Sequence, residues 1–228
     1  MRVLAIDTST EWCSVAAGGE GAWYALNEHV GQAHSERLLP MVAAVLAAAG
    51  WTAAQLDGIA FGAGPGSFTG IRIGCGVAQG LSLALDKPVL PVPTLEAMAW
   101  ASEGEQVLCC LDARMREVYV AAYAREGGEL RMVMPPAVVA PARVELPAQS
   151  RDAWIGVGPG FAAYPELGVR LRLAALRPEI LPTAVAIATL ALPRLRAGEG
   201  LAAADALPLY VRHRVALTDV ERAAGERL

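Results

Sequence analysis

The chain contains 228 residues, 54% of them hydrophobic and 18% charged, with a net charge of −4 at neutral pH. A charged fraction this low excludes an intrinsically disordered chain, and the length suits one large domain or two smaller ones. The negative balance disfavours direct binding of nucleic acid, which normally needs a basic patch. The apolar runs are too short to predict a membrane span, and Asp7 falls where a signal peptide is still apolar, so we expect a cytoplasmic protein.

The first hundred residues predict alternating strands and helices. Short apolar or alternating runs predict strands at residues 3–6, 12–17, 21–27, 58–61 and 89–92. Apolar residues that recur at three and four positions predict helices at residues 34–49, 71–85 and 94–101. Pro40 either starts the first helix or kinks it. We expect Ser67 or Thr69 to cap the second helix and Thr94 to cap the third.

The second half repeats this order. An apolar strand that ends on an aspartate, a four-residue turn and a returning strand occur at residues 3–17 and again at 107–123. A later strand at 153–157 runs into a Gly-Pro-Gly turn, as the strand at 58–61 does in the first half, and a helix follows at 183–195, where Pro193 should end or bend it. Two such copies predict a duplicated α/β unit with mixed sheets and a cleft between two lobes.

This duplicated order resembles the two-lobed actin-like ATPase (ASKHA, RNase H-like) fold. We expect residues 1–103 to form the first lobe, joined by the C-terminal tail at 206–228, and residues 104–205 to form the second. In the fold that the chain resembles, paired aspartates at the ends of the first strands face the cleft and handle metal and phosphate. The resemblance is to an architecture and does not establish a function.

The glycine-rich segment at residues 62–70 has two interpretations. Its glycines and the following helix N-terminus suit an anion, but no Walker-type Gly-Lys-Ser/Thr follows, so a tight elbow packed against protein is favoured. If a nucleotide site remains in vestigial form, its residues are Asp7, Gly64, Gly66 and Asp112.

The cysteines and histidines form no metal or catalytic motif. The apolar surroundings of the cysteines predict buried, reduced thiols, and alternation along a strand places Cys109 and Cys110 on opposite faces. His34 and Ser35 are adjacent on one helical turn, which is the wrong geometry for a nucleophile and its base. We therefore expect no catalytic residue and no metal site.

The helix predicted at residues 71–85 carries three interior glycines, Gly74, Gly76 and Gly80. Each costs about 1 kcal/mol of helix stability relative to alanine. Another backbone should therefore approach this helix closely, either from the same chain or from a second protein.

Several ordered motifs resemble those of the TsaB (YeaZ) family over nearly the whole chain. The most specific lie in the first 120 residues. They read LAIDTSTEWCSVA at 4–16, HSERLLP at 34–40, IAFGAGPGSFTGIRIG at 59–74, PTLEA at 93–97 and LDARMREVY at 111–119, and PLYVR follows at 208–212.

The resemblance implies that the second lobe of the two-lobed fold is reduced. It also implies a role in the synthesis of N6-threonylcarbamoyladenosine in tRNA. It implies pairing with the catalytic paralogue TsaD, which transfers the threonylcarbamoyl group, and association with the ATPase TsaE. ATP, Mg²⁺ and the metal would then belong to these partners, and tRNA would be reached only through the complex. Where the paralogue has a metal-binding His-x-x-x-His pair, this chain has Thr94 and Met98, which are not plausible ligands.

These departures favour a non-catalytic subunit that docks on TsaD, and that forms a homodimer when alone, through the two helices at 34–49 and 71–85. The expected contact residues are His34, Leu38, Met41, Val42, Val45, Ile73, Val77 and Gly80. Three rival functions are a small ATPase or kinase that uses Asp7 and Asp112, an M22-like peptidase, and a direct tRNA-binding module.

Overall fold

The structure is a computed structural model that describes residues 1–147 and 154–212. The first sheet contains the strands β1 (Val3–Asp7), β2 (Trp12–Gly18), β3 (Trp23–His29), β4 (Gly58–Gly64) and β5 (Val89–Pro93). Their spatial order is β3-β2-β1-β4-β5. β1 pairs antiparallel with β2 and parallel with β4, so the sheet is mixed.

The second sheet repeats this topology. It contains β6 (Gln106–Asp112), β7 (Val118–Glu126), β8 (Glu129–Val139), β9 (Ile155–Val157) and β10 (Ala175–Arg177). Their order, β8-β7-β6-β9-β10, matches that of the first sheet strand for strand. The predicted duplicated α/β fold is confirmed, and the last two strands, with three residues each, fit a reduced second lobe. Residue 153 of the strand predicted at 153–157 lies outside the described residues.

Six helices are present in the described residues, together with single 3₁₀ turns at Ala53–Gln55, Pro141–Arg143 and Ala203–Asp205. The helices are α1 (His34–Ala48), α2 (Phe68–Leu85), α3 (Thr94–Ala101), α4 (Gly160–Ala163), α5 (Pro165–Arg170) and α6 (Ala184–Arg196). Pro40 lies inside α1, and Pro193 does not end α6, which continues for three residues beyond it. Within that part of the chain only α2 has the length and hydropathy of a membrane-crossing helix, and its inner face packs on the first sheet as in a core helix.

Helices cover both faces of the first sheet. α1 and α2 bury one face, where their large side chains meet Leu4, Ile6, Val15 and Phe61. α6 buries the other face, where Ala184, Ile187, Ala188 and Ala191 meet Val3, Ala5 and Ala60. This differs from the predicted division of the chain, which placed residues 104–205 in the second lobe, because the chain has returned to the first sheet by residue 184.

Helix α3 crosses between the lobes in the opposite direction to α6, from the first sheet to the second. Although it follows directly from β5 of the first sheet, its residues Leu95, Met98 and Ala99 pack with Val107 and Cys109 of the second sheet. Each sheet is thus partly covered by a helix from the other half of the chain. The two lobes share their buried apolar surface, and neither is a closed unit by itself.

The helix starts agree only partly with the predictions. Ser67 is the N-cap of α2 and accepts a hydrogen bond from the Gly70 N–H at 3.2 Å, as predicted. Thr94 was predicted as a cap but is the first residue of α3, after Pro93. Its hydroxyl oxygen accepts a hydrogen bond from the Gly64 N–H at 3.0 Å, so it joins α3 to the end of β4.

Arg125 holds the junction between the lobes. From β7 its guanidinium donates to four backbone carbonyl oxygens, those of Ala99, Trp100, Ser102 and Gly104, at 2.7–3.2 Å. These carbonyls end α3 and lead into β6. The arginine therefore satisfies the unpaired C-terminal carbonyls of the helix and carries positive charge to the negative end of its dipole.

We expect Arg125→Lys to lower the free energy of unfolding by about 1–2 kcal/mol, because an ammonium cannot reproduce the planar fork of donors. Urea titration measures this loss. Arg131→Lys on the neighbouring strand β8, where the arginine pairs with the exposed Glu126, serves as the matched control and should change stability little. Equal effects of the two substitutions would contradict the proposed capping role.

Candidate functional site

A cleft of about 1170 Å³ opens between the lobes, at the ends of β1 and β6. Its walls are the turns that follow β1, β4 and β6, together with the extended segment 209–212. Trp12, Phe68 and Tyr119 contribute apolar surface, and Glu11, Asp112, Arg114 and Arg212 contribute charge. The cleft predicted from the duplicated sequence is therefore present.

Asp7 does not face this cleft, contrary to the prediction. Alternation along β1 turns it to the same side as Val3 and Ala5, where its side chain lies beneath Gly62 of β4. It is almost fully buried, and burial raises the pKa of its carboxyl to about 7. The carboxylate oxygens accept hydrogen bonds from the N–H and the hydroxyl of Ser9 at 2.8–3.1 Å, which shapes the turn after β1.

The glycine-rich loop is packed against the chain itself. A side chain at Gly66 would collide with the backbone oxygen of Ser9, whose carbonyl accepts a hydrogen bond from the Ser67 N–H at 2.7 Å. Gly64 has a φ of +107° and lies against the carbonyl oxygen of Leu209. Of the four predicted vestigial residues, only Gly66 and Asp112 line the cleft. The elbow interpretation fits these contacts, and the vestigial nucleotide site stays a prediction.

The charges at the mouth of the cleft pair with one another. Asp112 accepts a hydrogen bond from the Arg114 N–H at 2.9 Å, and the Arg114 guanidinium lies 3.5 Å from Glu11 across the cleft. Arg212 donates to Glu117 at 2.6 Å and to the Ala113 carbonyl at 3.1 Å. Asp112 is therefore held within its own turn.

The structure corrects the contact residues predicted on α1. Leu38, Met41, Val42 and Val45 are at most 5% exposed and form part of the core. The large apolar residues of the helix drive its burial on the sheet, and Leu39, at 54% exposed, is the exception. His34 is also buried, with its Nε2 3.3 Å from the Trp12 carbonyl oxygen. These five side chains are not available for docking in this structure.

A different face of α1 and α2 is exposed, which we call the outer helical face. It contains Leu39, Pro40, Ala43 and Ala47 of α1 and Gly76, Gly80 and Ala84 of α2, with Ile73 and Val77 half-buried between the helices. No charged residue occurs between 38 and 56 or between 73 and 85. Of the predicted contact residues, Ile73, Val77 and Gly80 belong to this face. The alanine-rich positions of α1 were missed, although alanines recurring at 43 and 47 were visible in the sequence.

The glycines of α2 divide between the two sides of the helix. A side chain at Gly74 would come within 2.5 Å of the Thr8 hydroxyl oxygen, so this glycine allows packing inside the chain. A side chain at Gly76 or Gly80 would meet no atom of residues 1–147 or 154–212 within 4 Å. Contacts among the described residues therefore explain Gly74 but not Gly76 and Gly80.

No catalytic constellation is visible in the described residues. All four cysteines are buried and unpaired, and burial raises the pKa of Cys13 and of Cys110 to about 12, so their thiols stay protonated at neutral pH. Cys109 and Cys110 pack into different core clusters on opposite faces of β6, as predicted. Across residues 1–147 and 154–212, no three metal-ligating side chains come together. The expectations about metals and cofactors stay predictions.

The extended segment that follows α6 reaches both lobes. Leu209 donates a backbone hydrogen bond to Ala63 of the first sheet at 2.8 Å, and Arg212 contacts the turn after β6 in the second lobe. The tail predicted at 206–228 to join the first lobe thus does so at its start but crosses to the second lobe by residue 212. Its residues 213–228 lie outside the described residues.

Comparison with protein families matches residues 27–205 to TsaD, the tRNA N6-adenosine threonylcarbamoyltransferase. The tRNA threonylcarbamoyladenosine biosynthesis protein TsaB of Escherichia coli (strain K12) is 40% identical over 227 residues, covering 95% of this chain and 96% of the relative. TsaB of Haemophilus influenzae is 37% identical, covering 94% of this chain and 95% of the relative.

Solved structures give the same match. YeaZ from Pseudomonas aeruginosa superposes with a TM-score of 0.85 at 42% identity, covering 92% of this chain and 99% of that one. A second Pseudomonas aeruginosa structure, described as an uncharacterized protein with similarity to the peptidase YeaZ, gives 0.87 at the same identity and coverage. The resemblance expected from the motifs is confirmed, and the chain belongs to the TsaB (YeaZ) family.

Proposed function

We propose that this protein is a non-catalytic subunit in the biosynthesis of N6-threonylcarbamoyladenosine in tRNA, and that it docks on its paralogue TsaD through the outer helical face. Membership of the TsaB family supports the pathway, since the curated relatives are named for it. The observation that carries the docking role is the outer helical face itself, an exposed and uncharged surface on two adjacent helices.

Two features of this face favour a protein partner. Leu39 is 54% exposed, and the surrounding positions are alanine, proline and glycine, so the surface is flat and apolar. Glycine at two exposed helical positions lowers the stability of the free chain. Close approach of a partner would explain why these positions are glycine. Helices of a partner pack at such small-residue surfaces with short distances between their axes.

The partner that best suits this apolar, small-residue surface is a protein with the same two helices. Residues 27–205 match the TsaD family model, so the paralogue has α1 and α2 equivalents that can meet this face around a pseudo-twofold axis. The contact would be a four-helix arrangement. In the absence of TsaD, the same face is available to a second copy of this chain, so we expect a homodimer when the protein is alone.

The geometry gives little support to the rival functions. A peptidase would need a nucleophile beside its base, but His34 is buried against the Trp12 carbonyl. An ATPase that uses Asp7 would need this carboxyl in the cleft, and it is buried away from it. The proposal therefore assigns no catalytic residue to this chain.

The remaining parts of the proposal come from the family resemblance. TsaE joins the complex as its ATPase, and ATP, Mg²⁺ and the metal belong to the partner proteins. The protein is cytoplasmic and reaches tRNA only through the complex.

The experiment replaces two residues of the outer helical face, Ala43→Arg and Gly80→Arg, singly. Each places a charge on an exposed helical position, so the fold is retained while docking is blocked. We expect each variant to bind TsaD at least about thirtyfold more weakly in calorimetry, as at an interface hot spot. In cells lacking the native gene, each should fail to restore the modified nucleoside measured by mass spectrometry of tRNA.

The matched control is Val169→Arg, which places the same charge at an 81% exposed position on α5 of the second lobe. It should bind TsaD and restore the modification as the unaltered chain does. Normal binding by both helical variants would refute the docking surface, whereas normal modified tRNA in cells lacking this protein altogether would refute the pathway.

A further inference from the structure

The segment at residues 206–212, which we call the strap, runs along α2 and then crosses to the second lobe. At its start the Ala206 carbonyl oxygen accepts hydrogen bonds from the Gln79 amide at 3.0 Å and the Cys75 thiol at 3.3 Å. Ala206 itself is fully buried in the core of the first lobe. The strap is therefore fixed to the helix that carries half of the outer helical face.

The middle of the strap is held by Arg72. Its guanidinium carbon lies 3.4 Å from the centroid of the Phe68 ring, and its Nε donates to the Tyr210 hydroxyl at 2.8 Å. Arg72, Gly76 and Gly80 are four residues apart along one exposed row of α2. A protein that covers the two glycines therefore reaches the side chain that holds the strap.

The C-terminal end of the strap contacts a strained turn between β6 and β7. Arg114, Met115 and Arg116, between β6 and β7, all have positive φ, at 61°, 55° and 59°. Three consecutive side-chain-bearing residues in the left-handed region persist only where their surroundings enforce it. Two backbone hydrogen bonds close the turn, from the Ala113 N–H to the Glu117 carbonyl at 2.9 Å and from the Glu117 N–H to the Arg114 carbonyl at 3.0 Å. Arg212 adds a restraint from outside the turn, because it donates to Ala113 and Glu117 on either side of the three, and its side chain is only 11% exposed.

From these contacts we infer that the strap couples the outer helical face to the turn between β6 and β7 on the other lobe. A partner that covers Arg72, Gly76 and Gly80 restricts the motion of the strap. Arg212 passes this restriction to the strained turn at the mouth of the cleft. The coupling rests on the proposed function, since TsaD is the partner that occupies the face. It assigns to Arg212 a role in communication between the lobes rather than in docking.

Hydrogen exchange of the full-length protein, alone and saturated with TsaD, tests the coupling. We expect TsaD to slow exchange in α1 and α2 by direct cover, and also in residues 113–118 by at least about fivefold, the lower end of typical coupling between sites. In Arg212→Gln and in Glu117→Gln, protection of α1 and α2 should persist while protection of residues 113–118 is lost. Arg143→Gln, at an exposed arginine of the second lobe, should behave as the unaltered chain.

The results separate this inference from the proposed function. Protection of α1 and α2 without any change at residues 113–118 in the unaltered chain would overturn the coupling alone. Equal protection of residues 113–118 in the unaltered chain and in both variants would also overturn it. If TsaD protected neither helix, the docking proposal and the coupling would both fall.

Discussion

Asp7→Asn is expected to raise the free energy of unfolding at pH 8 by about 4 kcal/mol relative to the unaltered chain, and by almost nothing near pH 4. The reason is the burial of this carboxyl, which raises its pKa from an ordinary value of 3.8 to about 7. In the unfolded chain the carboxyl is exposed and ionises near pH 4. Above pH 7 the folded protein must therefore hold a buried negative charge without a cationic partner among the groups that set its pKa.

The sign of the pH dependence follows from proton binding. Between pH 4 and pH 7 the folded state binds the proton of Asp7 and the unfolded state does not. The contribution of Asp7 to stability therefore decreases as the pH rises through this window and is constant outside it. Asparagine does not titrate, and its amide oxygen accepts the same hydrogen bonds from Ser9, so the turn after β1 should be retained.

Urea titrations of both proteins at pH 5, 6, 7 and 8 measure the effect. The difference in unfolding free energy should widen steadily and level off above pH 7. Asp86→Asn, at an exposed aspartate that ends α2 with a φ of 52°, is the matched control, because asparagine tolerates that conformation. Its effect should not vary over this range. A difference for Asp7→Asn that stayed flat with pH would show that the carboxyl is already ionised in the folded protein.

The strands and their duplication could be predicted because local pattern determines both. Each half contains an apolar strand that ends on aspartate, a short turn and a returning strand, and hydrophobic periodicity reports such elements directly. The repeat then implied two sheets of the same order. Ser67 was predictable as a cap for the same reason, since its role depends on the three residues that follow it.

The crossing of α3 and α6 between the lobes could not be predicted in this way. Thr94 follows β5 directly, and nothing in the sequence of α3 records that Leu95 and Met98 pack on the second sheet. This choice depends on contacts between segments far apart in the chain. The same crossing explains Asp7, because α6 covers the side of β1 to which its carboxyl points and keeps it out of the cleft.

The orientation of α1 was predicted wrongly for a different reason. Both sides of this helix are apolar, so periodicity alone does not say which one meets the sheet. Size decides it, since burying leucine, methionine and valine removes far more apolar area from water than burying alanine. Leu38, Met41 and Val45 therefore face the core, and the alanines Ala43 and Ala47 are left outside.

Glycine-to-alanine substitutions along α2 are expected to have opposite effects on the two sides of the helix. At Gly70 the new side chain would collide with the backbone oxygen of Thr8, which cannot move without distorting the turn after β1. We expect Gly70→Ala to lower the free energy of unfolding by about 3 kcal/mol, at the upper end of overpacking costs. Gly76→Ala and Gly80→Ala should each raise it by about 0.5–1 kcal/mol, because alanine favours the helix and no atom of the described part of the chain lies within 4 Å of the new methyl group.

The substitutions at Gly76 and Gly80 should also affect binding to TsaD, which a stability measurement does not reveal. If Gly76 and Gly80 are kept for close approach of a partner helix, Gly76→Ala and Gly80→Ala should weaken TsaD binding even though the free chain becomes more stable. Urea titration measures the free energy of unfolding, and calorimetry on the same preparations measures the affinity for TsaD. The titrations are repeated at several protein concentrations, because a homodimer on this face would make stability depend on concentration. A gain in stability with unchanged affinity for TsaD would mean that these glycines do not serve docking, and the outer helical face would then need another explanation for its exposed glycines.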